Sequence, residues 1–252
     1  SKTDPNGKLP STYDTLAASA QYSARITAMK SDTTDTARVY HHEQSLSWES
    51  YTVQTGQIAG DCVDFNTENP TVYNYLTEAA KKYIDMGIDA YRVDTVKHIS
   101  RLTFNQTIVP SLKSYAGSNF FIFGEVCSRY RNVWNSGIPA ISAPFFTWKE
   151  SKTYSWSSTD RTVNEASVLS NWNDNSTTTG QPTSTNAYLN GVTYHTPDWS
   201  KRSGMDVIDF PMHWSFCNAR DAFGMGVGSD NCYNDATWNV TYVDSHDYAP
   251  DT

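Results

Sequence analysis

Long apolar runs are missing from this chain. The longest, such as Phe120-Phe121-Ile122-Phe123, are strand-sized, far short of the roughly 18 residues a spanning helix needs, and a helical membrane span is excluded. Clusters of Lys and Arg are missing as well: 19 Lys+Arg stand against 27 Asp+Glu, a formal charge of −8. An acidic chain without a basic run cannot neutralise a phosphate backbone, which excludes nucleic acid as the partner. No charged-then-apolar leader opens the sequence, which leaves a mature secreted chain, a cytosolic protein and an excised fragment all open. Cysteine is scarce. Cys62, Cys127, Cys217 and Cys232 include no Cys-x-x-Cys pair, so a zinc or redox motif is not expected. Cys217 and Cys232 could pair in an oxidising compartment, and Cys62 and Cys127 read as buried thiols; the pairing stays open.

What is abundant is aromatic and hydroxylic. Aromatic residues make up 13% of the 252, with 8 Trp and 16 Tyr, while charged residues are 18%. Large rings with a polar tip suit flat, hydroxyl-bearing ligands and also fill cores. This length can bury one substantial core.

Residues 1–66 show little apolar periodicity and read as an irregular, loop-rich subdomain with short strands such as Arg38-Val39-Tyr40, and 67–252 as a second unit. Asn69 followed by Pro70 is a helix start. Val72, Leu76, Ala79, Tyr83 and Met86 then recur at helical spacing up to Gly87, a residue that suits a helix C-terminus. Next comes a strand, Ala90 to Asp94, whose alternation puts Ala90, Arg92 and Asp94 on one face and Tyr91 and Val93 on the other. A helix over 104–115 follows, which Pro110 must kink or end. Residues 120–125 form an apolar run ending in Gly-Glu, the pattern of a strand covered on both faces. Residues 130–204 read as loop-rich, strands are expected at 206–210 and 240–243, and a helix near 214–223. Strand and helix in alternation predict parallel βα units, an α/β sheet or barrel.

Three of these strands lead at the C-terminal end into a carboxylate: Asp94, Glu125 and Asp247. In parallel α/β folds that end carries the chemistry. Arg92 shares a face with Asp94 and would hold it ionised, whereas the apolar run before Glu125 would keep a proton on its carboxyl. One ionised and one protonated carboxyl are what glycoside cleavage requires. Asp247 is preceded by His246, a hydrogen-bond donor.

The stretch Gly87-Ile88-Asp89-Ala90-Tyr91-Arg92-Val93-Asp94-Thr95-Val96-Lys97-His98 resembles the fourth-strand signature of the α-amylase family, glycoside hydrolase family 13. Phe123-Gly124-Glu125-Val126 resembles its fifth-strand motif, Val243-Asp244-Ser245-His246-Asp247 its seventh, and Cys62-Val63-Asp64-Phe65-Asn66 the short motif near the end of domain B, the insertion after the third barrel strand. The four stand in the family's order. The resemblance implies part of a (β/α)8 barrel with a loop-rich domain B-like insertion, and a retaining, endo-acting α-1,4-glucan hydrolase acting on starch or malto-oligosaccharides. It implies Asp94 as nucleophile, Glu125 as general acid and base, and Asp247 as transition-state stabiliser. Arg92 would orient Asp94, His246 would bond the sugar at the cleaved bond, and Lys97 with His98 would line the leaving-group side. Asp64 matches a calcium ligand, with the His98 backbone carbonyl as another.

Only the fourth to seventh strands find a counterpart, so the barrel is expected to be incomplete within this sequence, its missing strands supplied by a parent chain or a second chain. Within the family, transglycosylases and branching enzymes use the same carboxylates. Glucan-binding relatives without activity typically lose one of them, and this chain has all three. An extracellular location is expected from the size of a starch substrate. Trp134, Trp148, Trp156 and Trp172 fall where cleft loops are expected, as sugar platforms or loop packing. His41-His42-Glu43 reads as a polar surface pair pointing to opposite faces, and the Asn-x-Ser/Thr triplets at Asn105, Asn175 and Asn239 as chance.

Overall fold

The computed structural model describes residues 9–31, 35–42, 45–58, 63–127, 134–150, 152–181, 202–208 and 239–240. Its sheet has four strands, β1 (Ala90–Val93), β2 (Phe121–Gly124), β3 (Asp206–Ile208) and β4 (Asn239–Val240), paired in that order. All pairings are parallel, with Arg92 beside Phe123, Gly124 beside Val207 and Ile208 beside Val240. Among the described residues the sheet is open, with β1 and β4 at its edges. The parallel βα arrangement read from the sequence is thus present. The rest of the expected last strand and the helix near 214–223 lie outside the described residues.

Helix α1 (Ala18–Ser31) lies in a stretch expected to be loop-rich, and its described side chains are exposed or half-buried. Helix α2 (Pro70–Asp85) starts as the sequence predicts: the Asn69 side chain accepts from the Thr71 N–H at 2.9 Å, and Pro70 opens the first turn. Its buried face differs from the expected one. Val72, Tyr73 and Thr77 are buried, with Ala80 and Ile84 against the core, while Tyr83 and Met86 are 57% and 78% exposed. The stripe is shifted by one position because α2 packs on α4 (Val109–Ala116) and under β1, where the Tyr91 hydroxyl donates to the Ala80 carbonyl at 2.6 Å.

The β1–β2 crossover is one helical stretch: α3 (Arg101–Thr103), a π-turn at Phe104–Ile108, then α4. Pro110 neither ends nor breaks it. The prolyl nitrogen cannot donate, and the wider π-turn directly before it takes up the mismatch. Asn105 Nδ2 and Thr107 Oγ1 donate to the carbonyls of Arg101 and Thr103 at 2.9 and 2.6 Å.

Two further helices, α5 (Ala143–Thr147) and α6 (Arg161–Asp174), occupy the region read as loops. The core gathers Val96, Phe104, Leu112, Ile122, Ile141, Phe146, Met205 and Val207 on one side of the sheet. β2 is not covered on both faces as expected: Ile122 is 2% exposed but Phe121 is 41%. Phe121 and Phe123 stack at 5.5 Å on the face that also bears Ala90 and Arg92. Trp134, Trp148 and Trp172 are buried, so these rings pack the interior rather than offer platforms. Asn175 is buried as well, its amide donating to the Asn171 carbonyl.

Candidate active site

The strand ends set the geometry. The Glu125 N–H donates to the Val93 carbonyl and the Val96 N–H to the Glu125 carbonyl, both at 2.9 Å, which carries the β1–β2 ladder past both strands. Thr95 adopts φ 45°, a left-handed turn that lets the chain leave β1 directly into the Val96–His98 turn. Gly124 is required where it stands: a Cβ there would lie 2.1 Å from Val96 Cγ2. The close approach of these two segments brings Asp94 and Glu125 together.

Arg92 joins them. Its Nη1 donates to Asp94 Oδ1 and its Nη2 to Glu125 Oε2, the latter at 2.8 Å. The sequence reading gave Arg92 to Asp94 alone; in the structure one guanidinium serves both acids. Their surroundings differ, with the Asp94 side chain 67% exposed and that of Glu125 14%. Glu125 is thus the shielded carboxyl and Asp94 the open one, while the guanidinium they share favours the ionised form of both. Asp247 and His246 lie outside the described residues.

Lys97 and His98 reach the same place from the turn after β1. Both are buried and both line a cleft of about 460 Å³ with Glu125, Thr95, Cys127, Asn135, Ser47, Trp48 and Glu49. Lys97 Nζ donates to the Cys127 carbonyl at 2.8 Å and sits 5.3 Å from the centre of the Trp48 ring. His98 Nδ1 lies 2.8 Å from the Val53 carbonyl. Burial lowers the imidazole pKa, so the ring is neutral, and because a carbonyl only accepts, the proton is on Nδ1. Trp48, 49% exposed and edge-on to His98 at 5.3 Å, forms the outer wall. No sequence motif marked Trp48 or Asn135; an isolated aromatic in an irregular segment carries no local signal of what it will face.

Asp64 lies in a different cluster. His41, 4% exposed, places Nδ1 2.7 Å from Asp64 Oδ2 and Nε2 3.0 Å from Glu68 Oε2. Burial alone would lower the His41 pKa, but the two carboxylates outweigh it and push it up to about 10. His42 turns the other way, to Asp35 Oδ2 at 3.0 Å. The adjacent histidines do point to opposite sides, yet His41 is not the surface residue the sequence implied. Calcium takes six to eight hard oxygens. Asp64 instead faces an imidazole, and among the described residues no group of three or more His, Cys, Asp or Glu could hold a metal ion.

Among the described residues no helix is long and apolar enough to cross a membrane. Residues 37–153 match the family model of the alpha amylase catalytic domain. That domain is a (β/α)8 barrel; β1 and β2 of the open parallel sheet lie within the matched residues. A cyclomaltodextrin glucanotransferase from Thermoanaerobacterium thermosulfurigenes is 36% identical over 93 residues, 37% of this chain and 13% of that protein. One from Klebsiella oxytoca is 33% identical over 91 residues, 34% of this chain and 14% of that protein. The chain thus spans a small part of the curated relatives it matches. Among solved structures, an Anoxybacillus alpha-amylase is 30% identical over 38% of this chain and 21% of its own, with a TM-score of 0.33. A cyclomaltodextrin glucanotransferase of three-domain ABC distribution is 26% identical over 38% of this chain and 19% of its own, with a TM-score of 0.35.

Proposed function

We propose, from the match of residues 37–153 to the alpha amylase catalytic-domain model, that the chain carries the nucleophile and the acid/base of a retaining enzyme that cleaves α-1,4-glucans such as starch and malto-oligosaccharides. The observation that carries the reading is the Arg92 guanidinium bonded to Asp94 and Glu125 at once. In the first step Glu125 gives its proton to the glycosidic oxygen as that oxygen leaves the anomeric carbon, and Asp94 forms the new bond to that carbon. In the second, Glu125 takes a proton from the incoming hydroxyl, whose oxygen displaces Asp94. Arg92 binds Asp94 and fixes the spacing of the pair. Asp247 and His246 complete the sugar site in this proposal. Lys97, His98 and Trp48 line the leaving-group side, since the cleft they form includes Glu125 but neither Arg92 nor Asp94.

When water is the second-step acceptor the enzyme is an endo-acting hydrolase. When a sugar hydroxyl is, it is a transglycosylase, a reading favoured by the cyclomaltodextrin glucanotransferases among the similar proteins. The open sheet and its exposed Phe121 imply that further strands of a parent chain or a second chain close the barrel. A polymeric substrate places such an enzyme outside the cell. The test is product analysis on soluble starch by the full-length protein, with Asp94→Asn and Glu125→Gln. Linear oligosaccharides mark hydrolysis, and cyclic, branched or transferred products mark transfer. Undiminished turnover in either variant would overturn the assignment.

A further inference from the structure

Two residues that line the cleft beside Glu125 each carry a buried polar side-chain atom without a hydrogen-bond partner among the described residues, Nε2 of His98 and Oδ1 of Asn135. Their residues are 8% and 5% exposed. Burying a polar atom unpaired is costly, so two around one concavity call for an explanation, and a bound ligand supplies one. Their chemistry says which ligand. With its proton on Nδ1 against the Val53 carbonyl, His98 presents a lone pair at Nε2, and the Asn135 amide oxygen is an acceptor too. Two neutral acceptors beside the Glu125 carboxyl suit a neutral molecule rich in hydroxyl donors.

Asn135 is also held still. Its backbone N–H donates to Ser142 Oγ at 2.7 Å, and that hydroxyl donates to the Ile138 carbonyl at 2.7 Å. The Ile138 N–H returns to the Asn135 carbonyl at 2.9 Å, closing a tight turn in which Ser136 takes φ 52°. The turn thus fixes the backbone position from which the Asn135 amide extends. Were the amide turned over, the cleft would bury an unpaired N–H instead, and a sugar hydroxyl satisfies that equally.

We propose that Asn135 is a specificity residue that hydrogen-bonds a hydroxyl of the glucose unit on the leaving-group side of the cleaved bond, and so of the acceptor sugar when transfer occurs. This rests on the glycoside-cleaving reading. Nothing in the four sequence motifs includes Asn135.

The experiment compares two substrates on the full-length enzyme: maltoheptaose, which fills the leaving-group side with sugar, and α-maltosyl fluoride, whose leaving group is a single atom. In Asn135→Leu, kcat/KM is expected to fall at least tenfold further on maltoheptaose than on the fluoride. Asn135→Asp, which keeps an acceptor in place, recovers part of the difference. Equal losses on both substrates, or no loss on maltoheptaose, overturn the proposal and leave the glycosidase reading intact. A wild-type enzyme inactive on both substrates overturns the two together. Should Asn135→Leu not fold, the comparison passes to Asn135→Ser, read by the same ratio.

Discussion

Arg92 and Glu125 meet across β1 and β2, Nη2 to Oε2 at 2.8 Å, although 32 residues separate them in sequence. The same guanidinium holds Asp94. Replacing Arg92 by Leu should lower kcat on malto-oligosaccharides by about 100-fold, the usual loss when one charged donor is taken from a reacting centre. Arg92→Lys should do nearly as badly, because an ammonium is a point charge and cannot serve two carboxylates as a planar fork does. A Lys variant with near-normal kcat would mean that only the charge matters.

His41 fastens the 64–68 loop from within, and its removal is expected to be felt without any metal. Thermal melting should not shift between EDTA and added calcium, while His41→Gln should melt several degrees lower. The pH dependence follows from the pKa raised from 6.5 to about 10. The folded state binds the proton more tightly than the unfolded one, so the contribution is complete below about pH 6.5 and is lost as pH rises through about 10. The gap in melting temperature between wild type and His41→Gln should therefore narrow from pH 7 to pH 10. A gap that widens, or a clear calcium shift abolished by Asp64→Asn, would refute it.

What could be read in advance, and what could not, divides by range. The alternation through Ala90 to Asp94 and the Asn69-Pro70 helix start depend on neighbouring residues only, and both stand in the structure. The burial of Ile122 is equally legible, the exposure of Phe121 is not, because the latter depends on what packs against that face of the sheet. Tyr83 and Met86 fit a helical stripe as well as Ala80 and Ile84 do; only the position of α4 decides between them. His41 meets carboxylates 23 and 27 residues away, a pairing no local pattern encodes. Of the site, Asp94, Arg92, Glu125, Lys97 and His98 were named by motif and come together, while Trp48 and Asn135 complete the cleft from segments without a motif.

Gly124 tests whether the site depends on the closeness of its two segments. Gly124→Ala would set a methyl 2.1 Å from Val96 Cγ2, with Met205 Sδ also near at 3.5 Å. Neither neighbour has room, for Val96 is 0% exposed and Met205 1%. Overpacking of this kind costs about 1–3 kcal/mol. The strain falls between β2 and the Val96 turn, so Glu125 moves relative to Arg92, and kcat should drop together with the urea midpoint. A variant as stable and as active as wild type would show that the segments separate freely.

Arg101 ties the start of the β1–β2 crossover to the segment around α5. It is 5% exposed, lies 4.3 Å from the centre of the Phe145 ring, and donates through Nη1 to Glu150 at 3.0 Å. Nε and Nη2 reach the Trp148 carbonyl at 3.2 and 2.5 Å. Arg101→Met keeps the apolar stem but leaves the Glu150 carboxylate, 12% exposed, without its cation. Breaking a buried pair from one side costs about 3–5 kcal/mol, most of it from the stranded charge. Glu150→Gln retains an acceptor for Asn171, whose amide now donates at 2.6 Å, and removes the charge. The double variant should therefore be more stable in urea than Arg101→Met alone, since coupled groups do not add. If the two losses simply sum, Glu150 does not depend on Arg101, and the tie between the start of the β1–β2 crossover and the segment after α5 is weaker than its geometry implies.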